Sequence, residues 1–519
     1  MGRPVWCATQ GGIRPGRTRP RRRPGPARND GCAWPPSGRR AGSGPGCRAN
    51  EASCAEVAGL QTRECSVEPG MPAPGERVVA TCGDAGRGHG PGFRSRRGNV
   101  SHPGGGNGPG SKAYHVAMIH AHDVLIVGGG LVGSSLAIAL DRIGLDVGLV
   151  EATPAGAPPA VFDQRNLSFA AATVNALGAL GVMAKLRTAP GPIRRIHVSR
   201  AGDFGRVQLD AADYGRDSFG QVVVARDFGE ALQARLDELR SLQRYRPARC
   251  IGVEPVQDGS RAVRLATADG EQLVRARLVV GADGSHSAVR ELLHIGTEQH
   301  DFLQTLFVAR VRASRPPDGT AWERFGEHGP TALLPRGDRH YGAIHCVARA
   351  EAETVAALDE AGWLARLQRA AGWRAGRFVA SGERSAYPLV QILANTVVAE
   401  RVVLLGNAAQ TLHPIGAQGF NLGLRDALTL AELIEPDRSD AGAAPLLAEY
   451  LARRRVDRDH TIGFSSGLAR LTGNPAPLLR PLRSLGLLAA SQAAPLQSML
   501  VGGAMGFRGD VPQLCRSQA

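Results

Sequence analysis

The chain has 519 residues, including 67 Gly and 34 Pro, with 5% aromatic residues and a formal net charge of +15. That length admits two or three domains, and no uninterrupted apolar run is long enough to span a bilayer, which excludes a helical membrane-spanning protein. The charge is unevenly placed: residues 1–117 hold 18 of the 62 Lys and Arg and 7 of the 47 acidic residues, a net +11 against +4 for the rest.

Residues 1–117 contain runs such as GIRPGRTRPRRRPGPAR and RGNVSHPGGGNGPGSK, rich in Gly, Pro and Arg and without apolar periodicity. Such a segment cannot bury enough surface to offset its chain entropy, so a disordered N-terminal extension is predicted. An RNA-binding or membrane-binding tail, a transit peptide and a misassigned start upstream of Met118 are the readings to weigh; the last is preferred, and nucleic acid is not an expected partner. Six cysteines fall here at irregular spacing without a histidine pattern, so no metal site is read. Cys250, Cys346 and Cys515 are too scattered for a disulfide framework, which fits a reducing cytoplasm. There is no signal peptide with an apolar core, and the expected location is cytoplasmic or peripheral at the inner membrane.

The first patterned stretch is HDVLIVGGGLVGSSLAIALDRIGLDVGLVE, from His122 to Glu151. Asp123 to Val127 reads as a buried strand, and Gly128, Gly130 and Gly133 then follow the G-x-G-x-x-G spacing. Gly128 permits the turn, Gly130 lets a pyrophosphate approach the backbone, and Gly133 lets the next helix pack closely. Leu136, Leu140 and Ile143 recur at helical spacing, Gly144 ends the helix, and Val147 to Val150 forms the next strand. Glu151, eighteen residues after Gly133, is placed to accept hydrogen bonds from a ribose 2′-hydroxyl. The unit predicts an adenosine dinucleotide; alone it does not separate FAD from NAD.

Asp163 and Arg165 precede a predicted helix with an apolar stripe of Val174, Leu177 and Leu180. Arg165 reads equally as a solvated cation or as a group reaching toward a flavin or phosphate. IRRIHVSR and GRVQLD form a hairpin around Ala201 to Gly205, and GQVVVARDF leads through Arg226 into a helix. A meander from Ala248 to Ala276 runs into RLVVGADGSHSAVR, where a strand from Leu278 to Val280 ends at Asp283 and Gly284. TLFVARV, GPTALLPRG and YGAIHCVAR, followed by a helix around Glu351 to Ala371, look like a second domain on an antiparallel sheet. In RVVLLGNAAQTLHPIGAQGFNLGLRDALTLAELI the strand Val402 to Leu405 is followed by a loop from Gly406 to Gly419 and a helix from Phe420 to Ile434. A loop of that length between strand and helix is usually functional.

Three motifs in order, GGGLVG with Glu151, GADGSHSAVR and LLGNAAQTLHPIGAQGFNLGLRDA, resemble those of the FAD-dependent aromatic hydroxylases of the para-hydroxybenzoate hydroxylase type, over essentially all of residues 120–510. The likeness is strongest to the ubiquinone-biosynthesis hydroxylases, and the third motif is close to the form of the 2-octaprenyl-6-methoxyphenyl hydroxylases. The resemblance implies an α/β fold, a Rossmann-like FAD-binding domain with an antiparallel-sheet substrate domain. The expected division is FAD-binding parts at 118–192, 222–300 and 391–455, a substrate-domain hairpin at 193–221, a substrate sheet at 301–390 and a helical region at 456–519.

The resemblance also implies roles. Gly128, Gly130, Gly133 and Glu151 would hold the ADP half of FAD; Arg165 and Arg226 match positions near the cofactor; Asp283 and Gly284 match an Asp-Gly motif linked to FAD and NAD(P)H. Gly406 and Asn407 replace the family's usual Gly-Asp, keeping the oxygen acceptor but losing its charge. Pro414, Gly416, Gly419, Phe420 and Asn421 would run along the isoalloxazine ring. His413 and Pro414 are carried as catalytic candidates, with a plain turn role for His413 as the competing reading.

The implied reaction is hydroxylation of a polyprenylated methoxyphenol in ubiquinone biosynthesis, using NAD(P)H, dioxygen and a flavin 4a-hydroperoxide, with membership of a ubiquinone-biosynthesis complex. Competing readings are hydroxylation at another ring position, a flavin reductase without oxygen insertion, and a flavin-free scaffold. The last segment alternates apolar clusters with Arg480 and Arg483, as a membrane-surface helix pair or a cap on the FAD domain would.

Overall fold

The β-branched run ahead of the first glycines becomes the strand His120–Val127, whose last four residues are buried. In the computed structural model of the protein, residues 120–154, 156, 165–473 and 479–516 are described. The expected N-terminal disorder, Asp163 and the side chains of Arg480 and Arg483 lie outside them.

The first strand pairs in parallel with Val147–Val150 on one side and with Gly270–Gly281 on the other. The parallel core continues to Leu242–Tyr245 beyond the former and to Val402–Leu404 beyond the latter. Val147–Val150 and Val402–Leu404 are buried throughout, as strands covered on both faces must be. The helices Leu131–Arg142 and Gln418–Ile434 pack against each other beside this sheet. Ala248–Gln257 and Ser260–Thr267 extend its edge as an antiparallel meander with Gly270–Gly281.

A second sheet has eight strands among the described residues. Its spine is the antiparallel pair Thr297–Ala313 and Phe378–Ala394, each 17 residues long, followed by Tyr341–Ala348, Gly329–Pro335 and Thr320–Gly326. The fold is α/β, the class read from the sequence, with two eight-stranded sheets and a small three-stranded one of Asn166–Ala170, Gly220–Val224 and Gly191–Pro192 among the described residues. The second sheet is not wholly antiparallel. The hairpin Arg195–Arg200 and Arg206–Asp210 enters from the dinucleotide-binding half of the chain and docks its first strand parallel to Thr320–Gly326.

Local differences from the sequence reading have identifiable causes. The stretch before the second helix is a strand, Asn166–Ala170, which pairs antiparallel with Gly220–Val224. The helix expected around Glu351 to Ala371 is two helices, Ala352–Ala356 and Glu360–Ala371, because the Asp359 carboxylate accepts from Gly362 N at 2.7 Å and starts a new helix. The boundary drawn at 455/456 falls inside one helix, Ala444–Gly473, and those at 300/301 and 390/391 fall inside the two long strands.

Candidate active site

The glycine turn after the first strand is shaped by contact on one side and open space on the other. A Cβ on Gly128, at φ +110°, would lie 2.4 Å from the Ala282 carbonyl oxygen, and one on Gly133 would lie 2.0 Å from that of Gly128. Over Gly130 nothing stands within 4 Å of the Cβ position. Gly130 caps the helix Leu131–Arg142 without a side-chain hydrogen bond and with no acidic residue in the first turn. First-turn amides therefore face a clear approach, the requirement of a pyrophosphate. Glu151, half-buried at the end of the second strand, accepts from Gly129 N at 3.0 Å and Thr153 N at 2.7 Å. Its carboxylate is held against the turn.

The second motif abuts the first. Ser287 caps the short helix Ala288–Leu292, accepting from Arg290 N at 3.1 Å, and Asp283 supports that cap, accepting from Ser287 Oγ at 2.5 Å and Val289 N at 3.2 Å. Gly284, beside Asp283 and at φ +89°, borders open space. Arg290 is buried and donates to the Ala408 carbonyl at 2.9 Å and the Ser285 carbonyl at 2.7 Å. It binds the second motif to the third, a function the sequence reading did not assign.

In the third motif Gly406, at φ +57°, packs under Val132, and the Asn407 side chain is exposed. Gly416 and Ala417 both take left-handed backbone, at φ +67° and +51°. For alanine this is strained, and it aims the chain into the helix Gln418–Ile434, whose first turn also lacks a side-chain cap. Over Gly419 there is again open space. The Asn421 side chain is committed to the protein: Oδ1 accepts from Ala170 N and Thr173 Oγ1, and Nδ2 donates to the Ser168 and Ala417 carbonyls, all between 2.7 and 3.0 Å. Phe420 packs against Phe169 and Phe228.

His413 sits beneath this loop. It is 3% exposed, its Nδ1 accepts from Ile415 N at 3.3 Å, and its Nε2 then donates to Gln304 Oε1 at 3.2 Å. Burial pushes its pKa down to about 4, so the ring is a neutral strut. Pro414, by contrast, lines the cavity described next. Arg226 is exposed on the first turn of the helix Ala225–Leu236. Arg165, whose carbonyl accepts from Ala225 N, lies over the Tyr387 ring at 4.7 Å.

A cavity of about 350 Å³ opens between the Pro414–Gln418 segment and the second sheet. Its walls are mostly apolar, with Ile196, Val198, Leu209 and Leu334 from the sheet and Leu487 and Leu500 from the C-terminal helices. Arg425 and Asp457 form part of its lining and belong to a buried charge cluster. Arg425 Nε donates to Asp457 at 2.7 Å, Arg454 bridges Asp426 at 2.7 Å and Asp457 at 2.6 Å, and Arg458 reaches Asp426 and Gln410. Burial pushes the Asp457 carboxyl up, and Arg425 and Arg454 outweigh it, holding it below the usual carboxylate range. The sequence signal for this cluster was an Arg-Asp pair inside an apolar helix together with Arg454 and Asp457 one turn apart.

Open space over Gly130 and Gly419, two uncapped helix starts and a restrained Glu151 fit a dinucleotide cofactor lying across all three motifs. The FAD binding domain family matches residues 121–462. The chain is 35% identical to ubiquinone hydroxylase UbiL of Rhodospirillum rubrum, over 74% of this chain and 89% of that one. It is 30% identical to 3-demethoxyubiquinol 3-hydroxylase of Escherichia coli, over 74% and 98% respectively. Its fold matches p-nitrophenol 4-monooxygenase PnpA of Pseudomonas putida with a TM-score of 0.63 at 18% identity, covering 76% of this chain and 99% of that one. The protein therefore belongs to the family of FAD-dependent monooxygenases that includes the ubiquinone hydroxylases.

Proposed function

We propose that the protein hydroxylates a polyprenylated methoxyphenol, with NAD(P)H as reductant and dioxygen as oxidant. The observation that carries this is the apolar cavity bordered by Pro414–Gln418: it suits an aromatic ring beside a flavin and offers an isoprenoid chain a greasy surface toward Leu487 and Leu500. Gly128, Gly130, Gly133 and Glu151 would hold the ADP half of FAD, with Arg165, Arg226, Asp283 and Gly284 bordering the cofactor. Gly406, Asn407, Pro414, Gly416, Gly419, Phe420 and Asn421 would flank the ribityl chain and ring. Bound there, FAD supplies the activation of dioxygen.

The chain's own residues orient and protect. The strained turn at Gly416 and Ala417 sets the start of the helix Gln418–Ile434, whose uncapped first-turn amides would face the ring and favour negative charge on it. Asn421 acts through its clasp on Ser168, Ala170 and Thr173, fixing the helix start, and His413 acts as a positioning residue that fixes the loop to Gln304. The apolar cavity walls exclude water from the reacting centre. No helix among the described residues is long and apolar enough to cross a membrane. Leu485, Leu488 and Met499 are exposed on the C-terminal helices beside the cavity-lining Leu487 and Leu500, which supports peripheral contact with a lipid surface as the substrate's entry route.

The E. coli relative is named a 3-demethoxyubiquinol 3-hydroxylase, and hydroxylation at another ring position is the second reading. One experiment separates the outcomes: the FAD-loaded protein is given NAD(P)H, isotope-labelled dioxygen and prenylated methoxyphenols. Label in a new ring hydroxyl is expected, and its position gives the regiochemistry. NAD(P)H consumption without label would favour a reductase, and a folded protein that takes up no FAD would favour a scaffold.

A further inference from the structure

The sheet wall of the cavity is apolar except at one position. Glu323, on the strand Thr320–Gly326, lies between Val198 on one neighbouring strand and Ala332 on the other. Ala321, on the same face, and Ile344, opposite Ala332, complete an apolar surround that borders the cavity. A carboxylate in such a setting is costly unless it is neutralised or bound. Among the described residues no hydrogen bond or ion pair reaches Glu323. The other acid on the cavity wall, Asp457, is by contrast taken up by Arg425 and Arg454. Pro414–Gln418 borders the same cavity, so a ring bound beside that segment shares its chamber with this carboxylate.

We propose that Glu323 is the base of the hydroxylation, its carboxylate accepting the proton of the phenol held in the cavity. The proposal rests on the phenolic-substrate reading above. The phenol O–H bond breaks, its electron pair stays on the ring oxygen and enriches the ring carbons, and the proton forms a new O–H bond on Glu323. When the hydroxylated ring regains aromaticity, Glu323 returns its proton to the ring oxygen, its freed carboxylate takes the ring's C–H proton, and that proton passes to solvent when the product leaves.

Glu323 is half-buried on the cavity wall, and loss of solvent alone pushes its carboxyl up to about 7, where a base for neutral solution is most effective. The charged groups bordering the same cavity are Asp457 from the helix Ala444–Gly473, Arg425 from Gln418–Ile434 and Arg508 from the segment after the last helix. Arg425 and Asp457 are paired with each other, and Arg508 donates to the Met499 carbonyl. From Tyr341–Ala348 the buried Cys346 thiol, pushed up by burial and by the Glu323 charge, stays uncharged.

The test uses the full chain loaded with FAD and a methoxyphenol bearing a short prenyl chain. Two readouts are followed against pH in the wild type, Glu323→Gln and Glu323→Asp: the ultraviolet phenolate band of the bound ligand and the turnover number. In the wild type both should fall on the acid side of about 7. Glu323→Gln should keep FAD and bind the phenol within a few-fold. It should lose the phenolate band and on the order of 10²-fold in kcat, and its acid limb should vanish. Glu323→Asp should retain the limb. An unchanged band and profile in Glu323→Gln would overturn the proposal while leaving the phenol reading intact. If that variant does not hold FAD, a wild-type band without an acid limb would overturn it equally. A wild type that neither binds nor hydroxylates the phenol would overturn the substrate reading and the proposal with it.

Discussion

At Gly130 the absence of a side chain serves nothing within the protein. Its backbone, at φ −70° and ψ −170°, suits any residue, and a Cβ there would meet no atom within 4 Å. Gly130→Ala should therefore leave the thermal midpoint of the cofactor-free protein nearly unchanged, within about 0.5 kcal/mol. It should weaken FAD binding by roughly tenfold or more, since the methyl group would occupy the approach proposed for the pyrophosphate. Gly133→Ala differs in kind, because its Cβ would lie 2.0 Å from the Gly128 carbonyl oxygen and the turn itself must move. Melting curves with and without FAD, together with flavin fluorescence quenching, separate the two effects. Full FAD affinity in Gly130→Ala would mean that the dinucleotide lies elsewhere.

At the scale of elements, the helix Gln418–Ile434 is tied down at both its start and its middle. Asn421→Leu keeps the volume but strands Ala170 N and the Thr173 hydroxyl in a buried site. A loss of about 2–3 kcal/mol is expected, with FAD release preceding global unfolding. Further along, Arg425 and Asp426 lock this helix to Ala444–Gly473 through Asp457, Arg454 and Arg458. Asp457→Leu leaves two guanidinium groups without that partner and should cost about 3–5 kcal/mol. Coupling it with Arg425→Met should restore part of the loss, because a buried pair is worth less than the penalty of halving it. Denaturant midpoints of the two single variants and the double variant test this, and strict additivity would mean that the two side chains are not coupled.

Across the whole molecule, the sequence was most legible where one periodicity ruled a whole element. Val124 to Val127, Leu136 and Leu140, and Val402 to Leu404 were read as a buried strand, helix and strand, and the structure buries them. Less legible were features set by pairing across long sequence separations. The strand Asn166–Ala170 exists because Gly220–Val224 lies beside it, and Glu323 matters because distant segments make the chamber around it. The same long-range burial governs the response to acid. His197, His345 and His413 are all buried with pKa values lowered to about 4: burial and Arg374 act on the first, burial and Arg366 on the second, and burial on the third. His345 accepts from Arg366 and pairs with Thr331, and His413 reaches Gln304, so each neutral ring joins separate segments. A pKa lowered on folding contributes stability that is complete above the ordinary value of 6.5 and is lost as pH falls toward about 4. For His413 that contribution is at most on the order of 3 kcal/mol. Glu323 opposes the trend, since its carboxyl, raised to about 7, stabilises the fold as it gains a proton. With three histidines against one carboxylate, the thermal midpoint should decline between 6.5 and about 4, and His413→Gln should flatten that decline while lowering the midpoint near neutrality. Because His413 braces the loop beside the cavity, flavin fluorescence in the wild type should rise before the far-ultraviolet circular dichroism signal is lost. A fluorescence rise that coincides with the loss of the circular dichroism signal would mean that the loop and the sheets unfold as one unit.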